Sequence, residues 1–192
     1  RCGRHADASG MKTITRTRRT AALLLTGALA AVPALALSTA DATAGTSRQA
    51  AHHGDRVAAI RAATAKYHDI DVALADGYVP VSECVESPEG AMGVHYMNPA
   101  LAGAPVDLRH PAFLLYLPGR DGMRLVGVEY FKADADQDLA TDEDRPSLLG
   151  HEFDGPMPGH GPGAPVHYDL HVWTWAHNPD GIFAEFNPAL SC

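Results

Sequence analysis

The stretch AFLLYLPGRDGMRLVGVEYF, residues 112–131, places two apolar runs on either side of the turn-forming segment GRDG. Val, Tyr and Phe favour strands, and Gly and Asp favour the tight turn between them. The stretch predicts a β-hairpin, and it therefore predicts a mainly antiparallel sheet.

Two further strands and one helix complete the fold prediction. AMGVHYM (91–97) and PVHYDLHVWTWA (165–176) have strand-type composition and are followed by turn-forming residues. Residues 55–77 carry apolar side chains at helical spacing, and Gly77 is placed to end that helix as its C′ residue. The fold class predicted is α+β: an N-terminal amphipathic helix either packs on one face of an open sheet or plugs one end of a curled, barrel-like sheet.

The N-terminal region has the composition of an export signal. From Met11 it runs through the basic KTITRTRR and the apolar AALLLTGALAAVPALAL to the small residues Ala42-Thr43-Ala44. Residues 11–44 are therefore predicted to be a signal peptide. The leader fits the general secretory route better than the twin-arginine route, although Arg18-Arg19 leaves the second route open.

The rest of the chain is predicted to be one secreted domain, residues 45–192, with residues 1–10 as upstream sequence. The domain has nine Lys and Arg against 21 Asp and Glu, a formal charge of −12. Such a charge repels nucleic acids and anionic lipid surfaces, so neither is an expected partner once the leader is removed. A small molecule or a metal ion is the expected partner, and the oligomeric state is left open.

Two cysteines remain in the predicted mature domain, Cys84 and Cys192. Disulfides form in the oxidising compartments to which a signal peptide directs a protein. We therefore predict that Cys84 pairs with Cys192. A disulfide would also tie down the C-terminal end of the chain.

The stretch VHYDLHVW, residues 166–173, has an unusual polar face. Alternate residues of a strand share a face, so one face carries Tyr168 and other apolar residues, and the other carries His167, Asp169, His171 and Trp173. A carboxylate and large aromatic residues on one face fit neither open solvent nor a dry core. A partly enclosed polar pocket accommodates both.

Metal binding is the chemistry that this pattern predicts. His167 and His171 are about 13 Å apart along a strand, too far to share one ion, whereas Asp169 and His171 can. His95 and Glu129 are single polar residues within other apolar strands, and they are the candidates for the remaining ligands. The predicted set is His95, Glu129, Asp169 and His171, which suits Zn²⁺, Cu²⁺, Fe²⁺ or Mn²⁺.

The same residues also allow a second interpretation. His167, Tyr96, Tyr168 and Trp173 are predicted to line the pocket, and tyrosines could join the histidines in a structural hydrogen-bond network. The domain would then be a non-catalytic module that binds a small ligand or a partner. The sequence leaves open whether the domain is an enzyme.

The motifs GAMGVHYMNPAL, FDGPMPGH, HYDLHVWTWAHNP and FNPALSC resemble a family of uncharacterised secreted bacterial proteins, common in high-GC Gram-positive organisms. The resemblance covers essentially the whole predicted mature domain. It implies a single secreted domain and no established activity.

Overall fold

The computed structural model describes residues 39–192, with side chains from Ala51 onward. Residues 1–10 and most of the predicted signal peptide lie outside the described residues. The final six residues of that predicted leader, 39–44, belong to the first helix. No helix within residues 39–192 combines the length and the apolar character needed to cross a membrane.

The N-terminal helical region is broken, whereas the sequence predicted one helix over residues 55–77. Helix α1 spans Thr39–Thr64, a 3-10 turn spans Ala65–His68, and helix α2 spans Ile70–Ala75. The break occurs because Asp69 adopts an extended conformation and its side chain accepts a hydrogen bond from the backbone N–H of Asp71, as a helix N-cap does.

The predicted end of the helical region at Gly77 is confirmed. Gly77 has a φ of +93°, its N–H donates to the carbonyl of Leu74, and the N–H of Tyr78 donates to the carbonyl of Ala73. This pair of bonds is the Schellman arrangement, and its left-handed residue favours glycine. Leu74, one of the apolar residues at helical spacing, is nevertheless 45% exposed.

The remaining elements are nine strands and one short helix within the described residues. They are β1 Val79–Pro80, β2 Val85–Ser87, β3 Gly90–Met97, α3 Pro99–Ala102, β4 Phe113–Gly119, β5 Gly122–Ala133, β6 Ser147–Leu148, β7 His151–Glu152, β8 Asp154–Met157 and β9 His167–Val172. The main sheet has the order β1-β3-β4-β5-β9-β8, β2 also pairs with β3, and β6 pairs with β7. Every pairing is antiparallel.

The α+β prediction is confirmed, and of its two variants the structure has the open sheet. β1 and β8 are the two edges, and they do not pair with each other. The predicted hairpin is the pair β4 and β5, with Gly119 opposite Gly122. The strand predicted over 165–176 ends earlier, at Val172.

The two faces of the sheet have different environments. The helices cover one face, where Ile60 of α1 packs with residues such as Leu114, Tyr130 and Leu170. The opposite face has a smaller apolar cluster formed by Ala91, Leu115, Leu117, Val126 and Trp173. The polar residues of β9 share this opposite face, because they alternate with the buried apolar residues of the helix-covered face.

The C-terminal segment is attached to the beginning of β3. Cys84 and Cys192 form the predicted disulfide, with their Cα atoms 5.8 Å apart. Ala91 and Asn187 also exchange two backbone hydrogen bonds of 3.2 Å. The chain end is therefore joined to the sheet both covalently and by backbone pairing.

Candidate metal centre

The site is built from strands whose register places polar side chains side by side. Glu129 of β5 lies directly opposite His171 of β9, and Phe131 lies opposite Asp169. His95 comes from β3, which is separated from β5 by β4. Directly opposite residues of antiparallel strands are close neighbours, so the sheet itself fixes the pair Glu129 and His171.

His95, Glu129 and His171 converge, and we call them the inner group. His95 Nε2 lies 3.3 Å from Glu129 Oε2, and His171 Nε2 lies 3.7 Å from the same oxygen. One ligand atom from each of the three residues lies within 4.8 Å of the others. Ligands at ~2.0–2.1 Å from a tetrahedral zinc ion are about 3.3–3.4 Å apart, so the spacing of these atoms suits a shared ion.

The atoms that face one another in this region lack hydrogen-bond partners. Glu129 Oε2, Asp169 Oδ1 and both ring nitrogens of His171 are buried and unbonded. His171 is 1% exposed, and Glu129 and Asp169 are each 4% exposed. Buried polar atoms are almost always bonded, because burying them unpaired costs free energy. Their convergence indicates a position for a cation.

The outer nitrogens of the inner-group histidines face polar atoms that can orient the rings. The Nδ1 of His95 is 3.2 Å from the hydroxyl of Ser82, which also accepts the backbone N–H of His95 at 3.0 Å. The Nδ1 of His171 is 3.7 Å from Asp169 Oδ1. In metal sites, a partner on the second ring nitrogen fixes the tautomer that leaves the first nitrogen free to bind the ion.

Sequence reasoning did not identify Ser82. It precedes β2 by only a few residues, and Val81 donates a backbone hydrogen bond to the carbonyl of His95. Only this pairing beside β3 brings Ser82 to the imidazole. No local pattern in the sequence specifies it.

Burial sets the protonation states of the inner group. Burial, together with the nearby His171, lowers the pKa of His95 to about 3, and burial also lowers the pKa of His171. Burial and the charge of Asp169 raise the pKa of Glu129 well above its ordinary value. Both histidines are therefore neutral at pH 7, which is the form that binds metals.

Asp169 differs from Glu129 in its charge state. Burial alone would raise the pKa of Asp169, but its interactions with His167 and with the neighbouring His171 and His160 lower it below its usual range. The site thus has one ionised carboxylate next to His171 and one carboxyl group, Glu129, that retains its proton more strongly.

A second set of three residues adjoins the inner group, and we call it the outer group: His160, His167 and Asp169. One ligand atom from each of them also lies within 4.8 Å of the others. His167 Nε2 is 3.8 Å from Asp169 Oδ2, and the rings of His160 and His167 are 5.0 Å apart. His160 is exposed and lies in the Gly- and Pro-rich loop before β9.

The structure therefore distributes the four predicted ligands over two adjacent groups. His95, Glu129 and His171 come together as predicted, and His167 is separate from His171, as the strand spacing required. Asp169 is next to His171, but it faces the second ring nitrogen of that residue and completes the outer group. His160 was not among the predicted site residues, because a loop places it there.

Three residues predicted to line a pocket lie away from the convergent atoms. Tyr96 and Tyr168 are buried in the core beneath the helices, on the opposite face of the sheet from the polar row. The strand alternation explains this placement, since each tyrosine directly follows a site histidine in the chain. Trp173 lies in the smaller apolar cluster and donates a hydrogen bond to the carbonyl of Ala184.

Aromatic side chains occupy the space beside both groups. Phe113 contacts His95 edge to face at 6.2 Å between ring centroids, and Phe131 stacks on His167 at 5.0 Å. These contacts place an aromatic ring against one histidine of each group. Comparisons of the chain with models of protein families, with curated proteins and with solved structures found no match.

Proposed function

We propose that this protein is a secreted domain that binds one divalent transition-metal ion at the inner group. The ligands are the Nε2 atoms of His95 and His171 and the carboxylate of Glu129. One observation carries the proposal: buried lone pairs of Glu129 and His171 face each other at 3.7 Å without a hydrogen-bond partner. A bound cation satisfies both atoms.

The ligand chemistry defines the class of ion. Two imidazoles and one carboxylate suit Zn²⁺, Cu²⁺, Fe²⁺ or Mn²⁺, whereas Mg²⁺ and Ca²⁺ prefer oxygen ligands. Three protein ligands leave a coordination position for water or a small molecule. Asp169 supports the ion indirectly, because its Oδ1 lies 3.7 Å from Nδ1 of His171 and favours the tautomer that leaves Nε2 free.

Export is part of the same proposal. The support is the composition of residues 11–44 together with the Cys84–Cys192 disulfide, which is typical of proteins that fold in an oxidising compartment. N-terminal sequencing of the secreted protein tests this part. A new N-terminus at Gly45 is expected, and retention of Met11 in the mature protein would contradict it.

The rival function is a non-catalytic binding module in which the histidines form a structural hydrogen-bond network. The interatomic distances argue against this network. N–H···O hydrogen bonds are about 2.7–3.2 Å long, whereas the histidine-carboxylate distances in both groups run from 3.3 to 3.8 Å. Of the inner-group ring nitrogens, only Nδ1 of His95 has a hydrogen-bond partner, the hydroxyl of Ser82.

Elemental analysis of the purified protein tests metal binding. The protein is offered Zn²⁺, Cu²⁺, Mn²⁺ and Fe²⁺ separately and is dialysed against a weak chelator. We expect one retained ion per chain in the wild type, and none in His171→Ala or Glu129→Gln. The exposed His110 provides a matched control, and His110→Ala should retain the ion. A folded wild-type protein that retains none of the four ions would overturn the proposal.

A further inference from the structure

We infer that the outer group is a second cation site, distinct from the inner group and formed by His160, His167 and Asp169. This site takes a divalent ion that accepts imidazole ligands, Zn²⁺ or Cu²⁺. It is weaker than the inner site and exchanges its ion with solvent. The inference concerns residues that the proposed inner site does not use as ligands.

The tautomer of His167 is the first step. Nδ1 of His167 lies 3.2 Å from the carbonyl oxygen of Pro165. A carbonyl only accepts hydrogen bonds, so Nδ1 carries the proton. In the neutral form with this tautomer, Nε2 of His167 presents a lone pair, as a metal-binding imidazole must.

The second step is what this lone pair faces. Nε2 of His167 points at Asp169 Oδ2 from 3.8 Å, so one acceptor faces another. Protonation of Nε2 would supply a donor, but 3.8 Å is beyond the length of an N–H···O hydrogen bond. Both residues are largely buried, His167 being 3% and Asp169 4% exposed, so only a small part of either side chain reaches solvent. An ion between them would bind both.

The third ligand comes from a loop whose shape positions it. The loop closes with a hydrogen bond from Ala164 N–H to the carbonyl of Gly161. A Cβ atom at Gly159 would collide with the carbonyl oxygen of Ala164, at a separation that real Cβ atoms do not adopt. Only glycine at position 159 allows this close approach to Ala164, and we call the approach of these two residues the neck of the loop. The neck holds the adjacent His160 with its ring 5.0 Å from that of His167.

The ligand types select the ion, and the exposure of His160 sets the strength of binding. Two imidazoles and one carboxylate favour Zn²⁺ or Cu²⁺ over the oxygen-preferring Ca²⁺ and Mg²⁺. Ordering an exposed loop costs conformational entropy on binding, a cost that strand-borne ligands have already met during folding. The outer ion is therefore held less tightly than the inner one.

Asp169 connects the two sites without being shared as a ligand. Its Oδ2 faces His167, and its Oδ1 faces Nδ1 of His171. A variant of Asp169 would affect both sites, so it does not distinguish them. Variants of His160 and Glu129 do, because each residue belongs to one group only.

Calorimetric titration of the metal-free protein with Zn²⁺ tests the inference. The wild type should bind two ions per chain in two steps of different affinity. His160→Ala should abolish the weaker step and retain the tighter one, and Glu129→Gln should do the reverse. A wild type with one step that His160→Ala leaves unchanged would overturn the second site. Loss of the only step in Glu129→Gln would leave the proposed function intact while refuting this inference.

Two glycines beside His160 provide a matched pair of variants. Gly159→Ala should weaken the outer step by about tenfold or more, the effect typical of disturbing the support of a metal ligand. A Cβ at Gly161 meets no atom within 4 Å, so Gly161→Ala should leave both steps unchanged. Equal effects of the two variants would contradict the positioning of His160 by the neck.

Amide hydrogen exchange gives a readout that does not depend on tolerance of Gly159→Ala. Zn²⁺ should slow exchange across residues 159–164 in the wild type, because ligation of His160 orders the loop. The slowing should be absent in His160→Ala. Exchange that Zn²⁺ leaves unchanged in the wild type would show that His160 does not bind the ion.

Discussion

The inner and outer groups offer similar ligand atoms, but different secondary structure carries them. The inner ligands come from three strands, β3, β5 and β9, and backbone pairing fixes Glu129 opposite His171. The outer group has two ligands on β9 and the third, His160, on an exposed loop. Ligands on strands lose their conformational entropy when the protein folds, whereas a ligand on an exposed loop loses it when the ion binds.

The two settings also have different consequences for the metal-free protein. In the inner group, burial leaves Glu129 Oε2 and both ring nitrogens of His171 without partners, which lowers the free energy of unfolding. In the outer group, His160 remains in contact with solvent. The unpartnered atoms of the inner group should therefore destabilise the metal-free protein and favour metal binding. The outer group should have both effects to a smaller extent.

Zinc-dependent stabilisation gives the largest expected contrast between the groups. At a free Zn²⁺ concentration about 100 times the dissociation constant, an ion bound only by the folded state contributes about 2.7 kcal/mol. This corresponds to a rise in Tm of about 5–10 °C for a domain of this size. Differential scanning calorimetry measures it, and His171→Ala should abolish most of the rise.

The outer group provides the control for this experiment. His160→Ala removes a ligand from the weaker site and should reduce the Zn²⁺-induced rise in Tm only slightly. Mg²⁺ should raise the Tm of neither protein, because imidazole is a poor ligand for it. A larger loss in His160→Ala than in His171→Ala would reverse the assigned order of affinities.

Removing the hydroxyl of Ser82 tests how the inner group is supported. Ser82→Ala deletes the polar contact to Nδ1 of His95. Loss of such a contact typically weakens metal binding by about 10–100-fold, so the inner dissociation constant should rise by that factor. Competition titration with a coloured chelator measures the change.

Ser87 offers a matched substitution away from the site. Its hydroxyl accepts the backbone N–H of Glu89 and contacts neither group. Ser87→Ala should leave both affinities unchanged, and Ser82→Ala should spare the outer one. If Ser82→Ala retained wild-type affinity at the inner site, His95 would not be oriented in the way described.

The sequence predicts the inner group better than the outer one for a physical reason. Glu129 and His95 were detectable because each is a polar residue within an apolar strand, and strand pairing is a repeating geometry that brings such residues together. The position of His160 depends on the particular path of one glycine-rich loop. That path follows from contacts such as the one between Gly159 and Ala164, which no periodicity encodes.

The fold shows the same division. Hairpin β4–β5 follows from local turn and strand preferences, and it formed as predicted. The break before α2 was missed because helical spacing continues across it. Asp69 followed by Asp71 is an N-terminal signature that indicates the new helix start. The alternation of residues along β3 and β9 also places Tyr96 and Tyr168 on the face opposite the histidines.

The smallest expected effect is the destabilisation that the inner group causes in the metal-free protein. Burial and the charge of Asp169 raise the pKa of Glu129, so the folded state retains a proton that the unfolded state releases above about pH 4.3. Between about pH 4.3 and the raised pKa of folded Glu129, the unfolded state binds fewer protons than the folded state. The contribution of Glu129 to the free energy of unfolding therefore falls as pH rises through this range. Glu129→Gln removes this decline, and its amide can donate to an inner-group nitrogen.

Thermal unfolding of the metal-free proteins between pH 4 and 8 measures this effect. The Tm of Glu129→Gln should match that of the wild type near pH 4 and exceed it by a few degrees at pH 7. Glu152, an exposed residue of β7, is the matched control, and Glu152→Gln should follow the wild-type curve throughout. A lower Tm for Glu129→Gln at pH 7 would mean that the carboxylate stabilises the metal-free fold. In that case the inner group would not destabilise the metal-free fold, and the two groups would differ only in the mobility of their ligands.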